Sequence, residues 1–545
     1  MNRLVARARR RQEGFALIAV MISTTILALL AAGIVAYGVG SMSISRHDEN
    51  WNAALAAAEA GVDDYVYRLN ANGNYWLYSA ANPPPDHNQA FAGWQTVPGG
   101  STVSQFHYTI DTSSLAVNGT LKLTSTGRMN GTMRTVYATL RQRSFLDYLY
   151  FTDYETEDPA LYTGSPFTAA QAQVSCAAYA YGSNPRDSNC VNIQFISADT
   201  INGPMHTNDA FMVCGNPHFN GATSTSWSGA SGLRYRDGCP TSHPVFANPG
   251  DPQLAPPLTM PPSDATIKSQ TNAGAGGCLY TGPTRIKLNS NGTMTVKSPF
   301  SKNTNNSSCP LNGNTGPVPS DGVIFVQNVP STTTDPNYTN GCPYSVNGRA
   351  HPLGMPITND ITTYGCRNGD AFVEGTLKGQ LTIATDNSVV VTWNLNYASG
   401  LNGTDLLGLI ANNNVQIYHP VSCTSGTTSS CNLNANFPGE TARNATFSNP
   451  QLYAAVLSVN HGFQVQNWAI GSSLGSLTVD GALSQRYRGP VGTNSSGTIL
   501  SGYAKAYTYD QRLHYESPPH FLDPIASQWQ ENTWAELKNP SGLPA

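Results

Sequence analysis

The chain has 545 residues, more than the ~250–300 at which a single hydrophobic core usually stops growing, so we expect two or more structural units. Charged residues make up 11% of the chain against a usual ~25%, and 50 glycines and 36 prolines accompany 26 tyrosines and 8 tryptophans. This composition is typical of a β-rich extracellular protein with many turns, and it excludes a disordered coil and a helical cytosolic enzyme. The formal charge of −4 becomes −8 without the five arginines and one glutamate of residues 1–14, so a basic nucleic-acid surface is not indicated, and DNA binding through a local patch is the alternative left open.

The N-terminal segment combines a short basic leader with a long apolar run. Residues 1–14 hold five arginines, and residues 15–45 carry no charged side chain. At ~1.5 Å per helical residue, this run outreaches a ~30 Å hydrocarbon core. We therefore expect a single-pass membrane helix, with the arginines held in the cytoplasm.

The helical pattern continues past the apolar run, from residue 46 to residue 69. Apolar residues recur there at alternating spacings of four and three, which places one stripe on one face of a helix. We expect this stripe to seat a globular part, while Glu59 and the other acidic residues of the segment face elsewhere. The candidate packing residues of the segment are Trp51, Leu55, Ala58, Glu59, Val62 and Leu69, with Tyr65 in the same stripe.

Three interpretations of the leader compete. A cleaved secretory signal and a plain uncleaved anchor both fit the basic and apolar stretches. The third rests on Gly14, which stands between RRRQE and FALIAVMIS. This arrangement resembles the class III signal of type IV prepilins, where a dedicated peptidase cuts after the glycine. The resemblance implies cleavage between Gly14 and Phe15 and methylation of the new N-terminal Phe15.

The second half of the helix resembles the minor pilins of the PilX N-terminal type, in which an A-A-E-A-G core recurs. That core is here Ala57, Ala58, Glu59, Ala60 and Gly61. Major pilins carry a glutamate five residues into the mature chain, where this chain has Ala19. Its absence resembles the K-type pseudopilin of type II secretion and implies a minor, tip or initiating subunit. The implied partners are other pilin subunits, reached through the helix, the prepilin peptidase, and the membrane before assembly. The implied location is the bacterial cell envelope, as a single-pass membrane precursor, and the extracellular pilus once assembled.

Short strands are predicted after a linker-like stretch from residue 73 to residue 100. They span residues 106–111, 121–128 and 132–142, and an Asn-Gly pair at Asn130 and Gly131 predicts a tight hairpin between the last two. These strands resemble the small sheet that pilins pack on their long helix. An aromatic strand or connection is expected over residues 145–154.

A different sequence pattern begins near residue 190, where short apolar steps of two or three residues recur between turns. Rungs this short favour an irregular right-handed parallel β-helix, with a β-sandwich as the alternative. Residues 201–209 and 406–418 resemble rung motifs of polymer-forming, β-helical surface domains attached to PilX-type helices. The predicted steps are residues 193–195, 211–213, 323–325, 381–383, 389–391, 409–410, 415–417, 463–465 and 477–479.

The overall expectation is a mainly β protein with one long N-terminal α-helix. The last stretch, rich in aromatics and paired prolines, is interpreted as a cap over the open end of the solenoid, with a carbohydrate-binding platform as the alternative. The predicted segments are a leader at 1–14, a transmembrane and amphipathic helix at 15–70, a small pilin-like β region at 71–145, a disulfide-bearing β-helix-like region at 146–502, and the cap at 503–545.

Ten cysteines all lie beyond residue 175. Their number is even, no C-x-x-C pair occurs, and histidines do not cluster near them, so disulfides are favoured over a zinc site. Pairing of sequential neighbours is one of several connectivities that the sequence leaves open. The candidates are Cys176, Cys190, Cys214, Cys239, Cys278, Cys309, Cys342, Cys366, Cys423 and Cys431.

No catalytic motif stands out, and we expect no cofactor and no metal. His206, Asn208 and Asp209 lie close together in sequence, where hydrogen bonding within a turn or ladder is the simpler interpretation. The predicted function is a minor pilin-like subunit of a type IV pilus or pseudopilus that displays a large β region, with a surface or glycan as a possible ligand. The alternative is a membrane-anchored envelope enzyme or a carbohydrate-binding surface protein.

Overall fold

The computed structural model describes residues 2–115, 119–230, 232–239, 241–342, 345–346, 349–350, 364–423, 430–433, 446–495, 498–525 and 528–537. Side chains are described within these ranges from residue 15 onward, apart from residues 43, 345, 346, 349, 350 and 498. The chain divides into two compact units. Unit 1 comprises Met1–Ser114, Thr120–Arg141 and Trp529–Ala545, and unit 2 comprises Leu115–Gly119 and Gln142–Gln528.

Helices are few and strands are many. The α-helices are α1 (Asn2–Ala71), α2 (Ala169–Ser175) and α3 (Ala265–Lys268), and short 3-10 turns span Tyr75–Leu77, Gln89–Phe91, Phe145–Asp147, Pro159–Leu161, Ser269–Thr271 and Gln511–His514. The first strands are β1 (Gln95–Thr96), β2 (Gln105–Asp111), β3 (Thr120–Met129), β4 (Thr132–Gln142), β5 (Tyr150–Tyr154), β6 (Phe195–Ile196), β7 (Thr200–Asn202), β8 (Met205–Thr207), β9 (Phe211–Cys214), β10 (His218–Phe219), β11 (Thr223–Thr225), β12 (Tyr235–Asp237), β13 (Val245–Phe246) and β14 (Gln253–Leu254).

The remaining strands follow a connection that contains α3. They are β15 (Cys278–Thr281), β16 (Thr284–Asn289), β17 (Thr293–Lys297), β18 (Asn314–Pro317), β19 (Val323–Gln327), β20 (Ser345–Val346), β21 (Arg349–Ala350), β22 (Ala371–Leu377), β23 (Gln380–Thr385), β24 (Val389–Tyr397), β25 (Leu406–Ala411), β26 (Val415–Ile417), β27 (Val421–Cys423), β28 (Cys431–Leu433), β29 (Gln451–Ser458), β30 (Phe463–Val465), β31 (Ser473–Tyr487), β32 (Gly492–Ser495), β33 (Thr498–Tyr509) and β34 (Trp529–Leu537).

Unit 1 pairs the helix α1 with a five-stranded sheet in the order β1-β2-β3-β4-β34. The strands predicted over residues 106–111, 121–128 and 132–142 are present as β2, β3 and β4, which pair antiparallel. Asn130 and Gly131, which join β3 to β4, have φ angles of 49° and 84°. Asn and Gly adopt this left-handed conformation most readily, which explains why this pair makes the turn.

The stretch from residue 73 to residue 100 is packed, which corrects the expectation of a linker. The rings of Tyr75 and Phe91 lie 5.7 Å and 6.2 Å from the ring of Tyr65 on α1, and Phe91 lies 5.0 Å edge-on to Tyr108 of β2. Edge-to-face aromatic contacts at these distances add to the stability gained from burial. The stretch therefore closes an aromatic cluster against the helix, although its prolines and glycines are typical of a loop.

Unit 2 is built on strands that pair in parallel with the strand one step along a stack. The principal ladder runs β15, β19, β23, β25, β29, β31, β5, β8, β11, β14. One in-register column of this ladder contains Cys278, Ile324, Ile383, Leu409, Val456, Leu483, Tyr150 and Met205, and all eight are buried. This parallel pairing differs from the antiparallel pairing of a β-sandwich.

The stack does not follow the order of the chain. Strand β5 is the first strand of unit 2, yet it pairs with β31 on one side and with β8 on the other. The strands from β15 to β31 therefore form one end of the stack, and those from β5 to β14 form the other end. The chain between β14 and β15 must therefore return along the stack. The contacts of this connection follow that path. Leu258 exchanges hydrogen bonds with Asn208, just after β8, at 2.7 and 2.8 Å. Farther along the connection, Asp264 accepts a hydrogen bond from the amide of Thr385, at the end of β23, at 3.2 Å.

The expected cap over residues 503–545 is corrected. Strand β33 runs through residue 503 and pairs in parallel with β31 and β7, so this part belongs to the stack. The next part lies along the stack, where Arg512 donates to the carbonyls of Gly403 and Asp405. Strand β34 belongs to the sheet of unit 1, and residues 526–527 and 538–545 of the predicted cap lie outside the described residues.

All ten cysteines are joined as sequential neighbours. The pairs are Cys176–Cys190, Cys214–Cys239, Cys278–Cys309, Cys342–Cys366 and Cys423–Cys431. The Cys214–Cys239 and Cys278–Cys309 loops include strands of the stack, such as β11 and β16. Such cross-links restrict the unfolded chain and are typical of proteins in oxidising compartments.

Candidate assembly site on the N-terminal helix

The first half of α1 presents apolar side chains without cover from the described protein. Phe15 is 76% exposed and Tyr37 is 81% exposed, and the leucines, isoleucines and valines between them are exposed to a similar degree. By length and composition, the helix is long and apolar enough to cross a membrane. An exposed apolar surface of this extent marks a membrane or protein contact.

The second half of α1 packs on the sheet of unit 1. Its buried side is made of small and medium residues, and the Ser125 hydroxyl of β3 donates a hydrogen bond to the Ala58 carbonyl at 2.7 Å. Small residues allow the helix backbone to approach the strand closely. The buried residues on this side are Ala54, Ala57, Ala58, Gly61, Val62, Tyr65 and Leu69.

Two glycines mark the closest approach. A Cβ atom at Gly127 of β3 would overlap the Ala54 carbonyl and the Ala58 amide of the helix backbone. A Cβ atom at Gly61 would overlap the Ser125 hydroxyl and press on Phe106. Both positions therefore require glycine for lack of space, and neither has a left-handed backbone.

The predicted packing residues divide between this interface and the surface. Ala58, Val62 and Leu69 are buried, and Leu55 is half-buried. Trp51 is 44% exposed, with the guanidinium of Arg134 4.8 Å from its ring centre. Glu59 is exposed, which corrects its place among the candidate packing residues, because it lies outside the apolar stripe. Gly127 and Ser125 were not predicted, because a single glycine or serine in a strand carries no signal for helix contact.

A polar cluster fixes the C-terminal end of the interface. Asp64 of the helix accepts hydrogen bonds from Arg68 at 2.8 Å and from the Tyr108 hydroxyl at 3.1 Å. Burial, followed by the nearby Asp64 carboxylate, raises the pKa of Tyr108 well above its usual value. Asn70 then holds β34 by exchanging hydrogen bonds with the backbone of Trp529, at 2.9 Å and 2.6 Å. The helix, the sheet and the last strand are thus locked together within unit 1.

The residues considered for catalysis are all buried in unit 2. His206 contacts Ser224 at 2.9 Å and Asn208 at 3.2 Å, and burial lowers its pKa to about 4. Asp209 accepts from the Glu155 amide at 3.0 Å and pairs with Arg186. The contacts of His206 are of the ladder and turn kind that the sequence favoured, whereas the buried ion pair of Asp209 was not predicted. Within the described part of the chain, no group of three His, Cys, Asp or Glu residues is placed to hold a metal ion.

Comparison with known proteins supports the interpretation of the N terminus. Residues 9–35 match the family described as the prokaryotic N-terminal methylation motif. No curated protein matches the chain. Among solved structures, the chain is similar to the competence-associated pilin ComZ from Thermus thermophilus at 12% identity, over 90% of this chain and 97% of that one, with a TM-score of 0.24. The methylation motif spans Gly14, Phe15 and the start of the apolar run, so the chain is type IV pilin-like at its N terminus.

Proposed function

We propose that the chain is a minor subunit of a type IV pilus or a related pseudopilus. It enters the membrane as a single-pass precursor, loses residues 1–14 to a prepilin peptidase, and starts as N-methylated Phe15. The observation that carries this proposal is the methylation motif at residues 9–35.

The uncovered apolar half of α1 supports the assembly step of this proposal. In the membrane, lipid covers the side chains from Phe15 to Tyr37, and in a fibre the helices of neighbouring subunits replace that lipid. Ala19 provides no carboxylate to meet the amino terminus of another subunit, which favours a position at a tip or an initiation point.

The architecture of unit 2 supports a role in display. We propose that its strands wind as a right-handed parallel β-helix, because the crossover between two parallel strands of one sheet is right-handed in nearly all proteins. A unit of this size on one subunit would interfere with regular repetition along a shaft. We propose that it is carried at or near a tip and serves adhesion to an external surface.

The test is the mass of the N-terminal peptide of the protein isolated from its native envelope. We expect a chain that begins at methylated Phe15. Gly14→Val should retain the leader, whereas Gly33→Ala, which adds a Cβ atom where nothing lies within 4 Å, should be processed normally. An intact leader on the wild-type protein would identify a plain anchor, and a start between residues 31 and 37 would identify simple secretion.

A further inference from the structure

A groove of about 300 Å³ opens on unit 2, and none of the functions considered above uses it. One wall is the chain that follows Cys190, and the other is formed by the residues before and within the hairpin of β32 and β33. We call it the Trp468 groove. Its chemistry is carried by Trp468, Asn192, Gln194, Asn494, Glu157 and the pair of Asp199 and Lys505.

The first wall is held in place by a buried arginine. Arg488 is 1% exposed and donates to the carbonyls of Ile193 at 3.0 Å and Gln194 at 3.2 Å. Its charge is matched by the buried Glu155, 2.9 Å away. Because these groups are shielded from water, their hydrogen bonds hold the two carbonyls firmly.

Further contacts fix both ends of that wall. The Glu157 amide donates to the Val191 carbonyl at 2.9 Å, next to the Cys176–Cys190 disulfide. The Gln194 amide group donates to the Gly238 carbonyl at 3.3 Å, next to the Cys214–Cys239 disulfide. The wall is therefore largely preformed, which lowers the entropy cost of binding a ligand.

The second wall is anchored to the strands of the stack. The Val465 amide donates to the Pro490 carbonyl and the Tyr503 amide donates to the Val491 carbonyl, both at 3.0 Å. Ser501 donates to the carbonyl of Trp468 at 2.8 Å. Trp468 is half-buried against the hydrophobic core and lines the groove from a backbone that this bond fixes.

The charges of the groove disfavour an anionic ligand. Lys505 is the cation of the lining, and its ammonium lies 2.9 Å from the Asp199 carboxylate, which neutralises it. Glu157 adds a further negative charge. A phosphate or a nucleic-acid backbone would meet a net negative lining and is poorly suited to this site.

The remaining groups match a sugar ring. A saccharide has an apolar C–H face that packs on an indole, and a rim of hydroxyls that hydrogen-bond to amides and carboxylates. The groove offers Trp468 for the face and Asn192, Asn494 and Glu157 for the rim. Its volume lies at the lower end of the range of small-molecule sites, ~300–1,000 Å³, which suits one or two rings.

We propose that the Trp468 groove binds a neutral saccharide unit, with the ring stacked on Trp468 and its hydroxyls bonded to the amides and carboxylates of the lining. The use of this binding in adhesion rests on the proposed function, whereas the binding itself does not.

The test is saturation-transfer NMR and calorimetric titration of the purified full-length chain. Glucose, galactose, mannose and N-acetylglucosamine serve as probes, in a zwitterionic detergent that carries no sugar head group. We expect saturable binding of at least one probe. Trp468→Ala should weaken it by about tenfold or more, equivalent to ~1.4 kcal/mol, and Asn494→Ala should weaken it by about threefold.

Trp227→Ala is the matched control, since Trp227 is a half-buried tryptophan of unit 2 outside the groove. It should bind like the wild type. If Trp468→Ala lowers the thermal stability, Val191→Trp decides, because Val191 lines the groove and is 45% exposed, so that a larger side chain there should occupy part of the groove. Absence of saturable binding to all four sugars, equal binding by the wild type and the blocked variant, or binding of phosphate or a short oligonucleotide that Trp468→Ala removes would each overturn the proposal. The N-terminal mass tests the pilus proposal separately.

Discussion

The backbone amide of Arg143 donates a hydrogen bond to the carbonyl of Gln528, 3.0 Å away. These residues stand at the two ends of the long segment of unit 2, just after β4 and just before β34, which are neighbours in the sheet of unit 1. The long segment of unit 2 is therefore inserted, along the chain, between two strands that are neighbours in one sheet. Closely spaced ends are the arrangement at which a domain insertion is best tolerated.

Removal of the insertion should leave unit 1 folded. We expect a chain in which Asn-Gly replaces residues 143–528 to join β4 and β34 as a hairpin, because Thr139 contacts Thr533 and Arg134 pairs with Glu536 across these strands. Its circular dichroism should show the helix and a cooperative thermal transition in detergent. As a control, the same excision with Asn70→Ala removes the contacts that hold β34 and should unfold at a lower temperature. Aggregation of both variants under conditions that keep the full chain soluble would contradict the prediction.

Gly127→Ala should weaken the packing of the helix α1 on the sheet of unit 1. The added Cβ atom overlaps the backbone at Ala54 and Ala58, so the helix and β3 must separate, at a cost of about 1–3 kcal/mol or more. Gly73→Ala is the control, since nothing lies within 4 Å of its Cβ position. The measurement is the denaturant unfolding of the shortened chain, in which Asn-Gly replaces residues 143–528. Equal stability of the two variants would show that the interface adjusts without cost.

The local features of the fold could be predicted from the sequence, because short-range chemistry determines them. Asn130 and Gly131 specify their hairpin, and the predicted apolar steps from residue 211 onward coincide with strands, whereas the step at residues 193–195 reaches a strand only at Phe195. The order of the rungs could not be predicted. The steps are short and chemically alike, so nothing in the composition of β5 indicates that Tyr150 lies between Leu483 and Met205.

The assembly site was partly visible in the periodicity of the helix. The spacing identified the face of Ala58, Val62 and Leu69, but not how far along the helix the sheet extends, and Trp51 therefore lies at the exposed edge. No pattern in the sequence predicted the Trp468 groove. Its residues come from separate parts of the chain, around positions 157, 192, 468 and 494, and only the stacking of rungs brings them together.

Asp264 should make the stability of unit 2 depend on pH. Burial, with a contribution from the charge of Asp386, raises its pKa from 3.8 to about 7. The folded state then holds a proton that the unfolded state releases, so the free energy of unfolding is highest below about pH 4 for this group and falls as the pH rises towards 7. Asp264→Asn keeps an acceptor for the Thr385 amide and removes the charge. We expect it to raise the stability at pH 8 by about 2–4 kcal/mol and to change it little at pH 4.

The measurement for Asp264 is the denaturant midpoint of the full chain between pH 4 and pH 8. Asp321→Asn is the control, because Asp321 is partly exposed and lies against His520 rather than in the return segment. The wild type and Asp321→Asn should lose stability over this range relative to Asp264→Asn. Parallel curves for all three proteins would mean that the Asp264 carboxylate is better solvated than its burial indicates.

Replacement of Arg488 should destabilise unit 2 and abolish binding in the Trp468 groove. Arg488→Met leaves the fully buried Glu155 without its partner, and breaking a buried pair in this way costs about 3–5 kcal/mol. Glu155→Gln with Arg488→Met removes the stranded charge and should restore part of that loss. The restoration is incomplete, because the carbonyls of Ile193 and Gln194 still lack their donor, which costs about 1–3 kcal/mol each.

Saccharide binding separates the effect of Arg488 on the stability of unit 2 from its effect on the shape of the groove. The double variant should be more stable than Arg488→Met yet bind no better, since the wall of the groove has lost its support in both. Glu536→Gln, which breaks an ion pair of Arg134 in unit 1, should change neither binding nor the unfolding of unit 2. Binding that returns together with stability would mean that the wall keeps its shape without Arg488, and that the groove owes its form to the flanking disulfides instead.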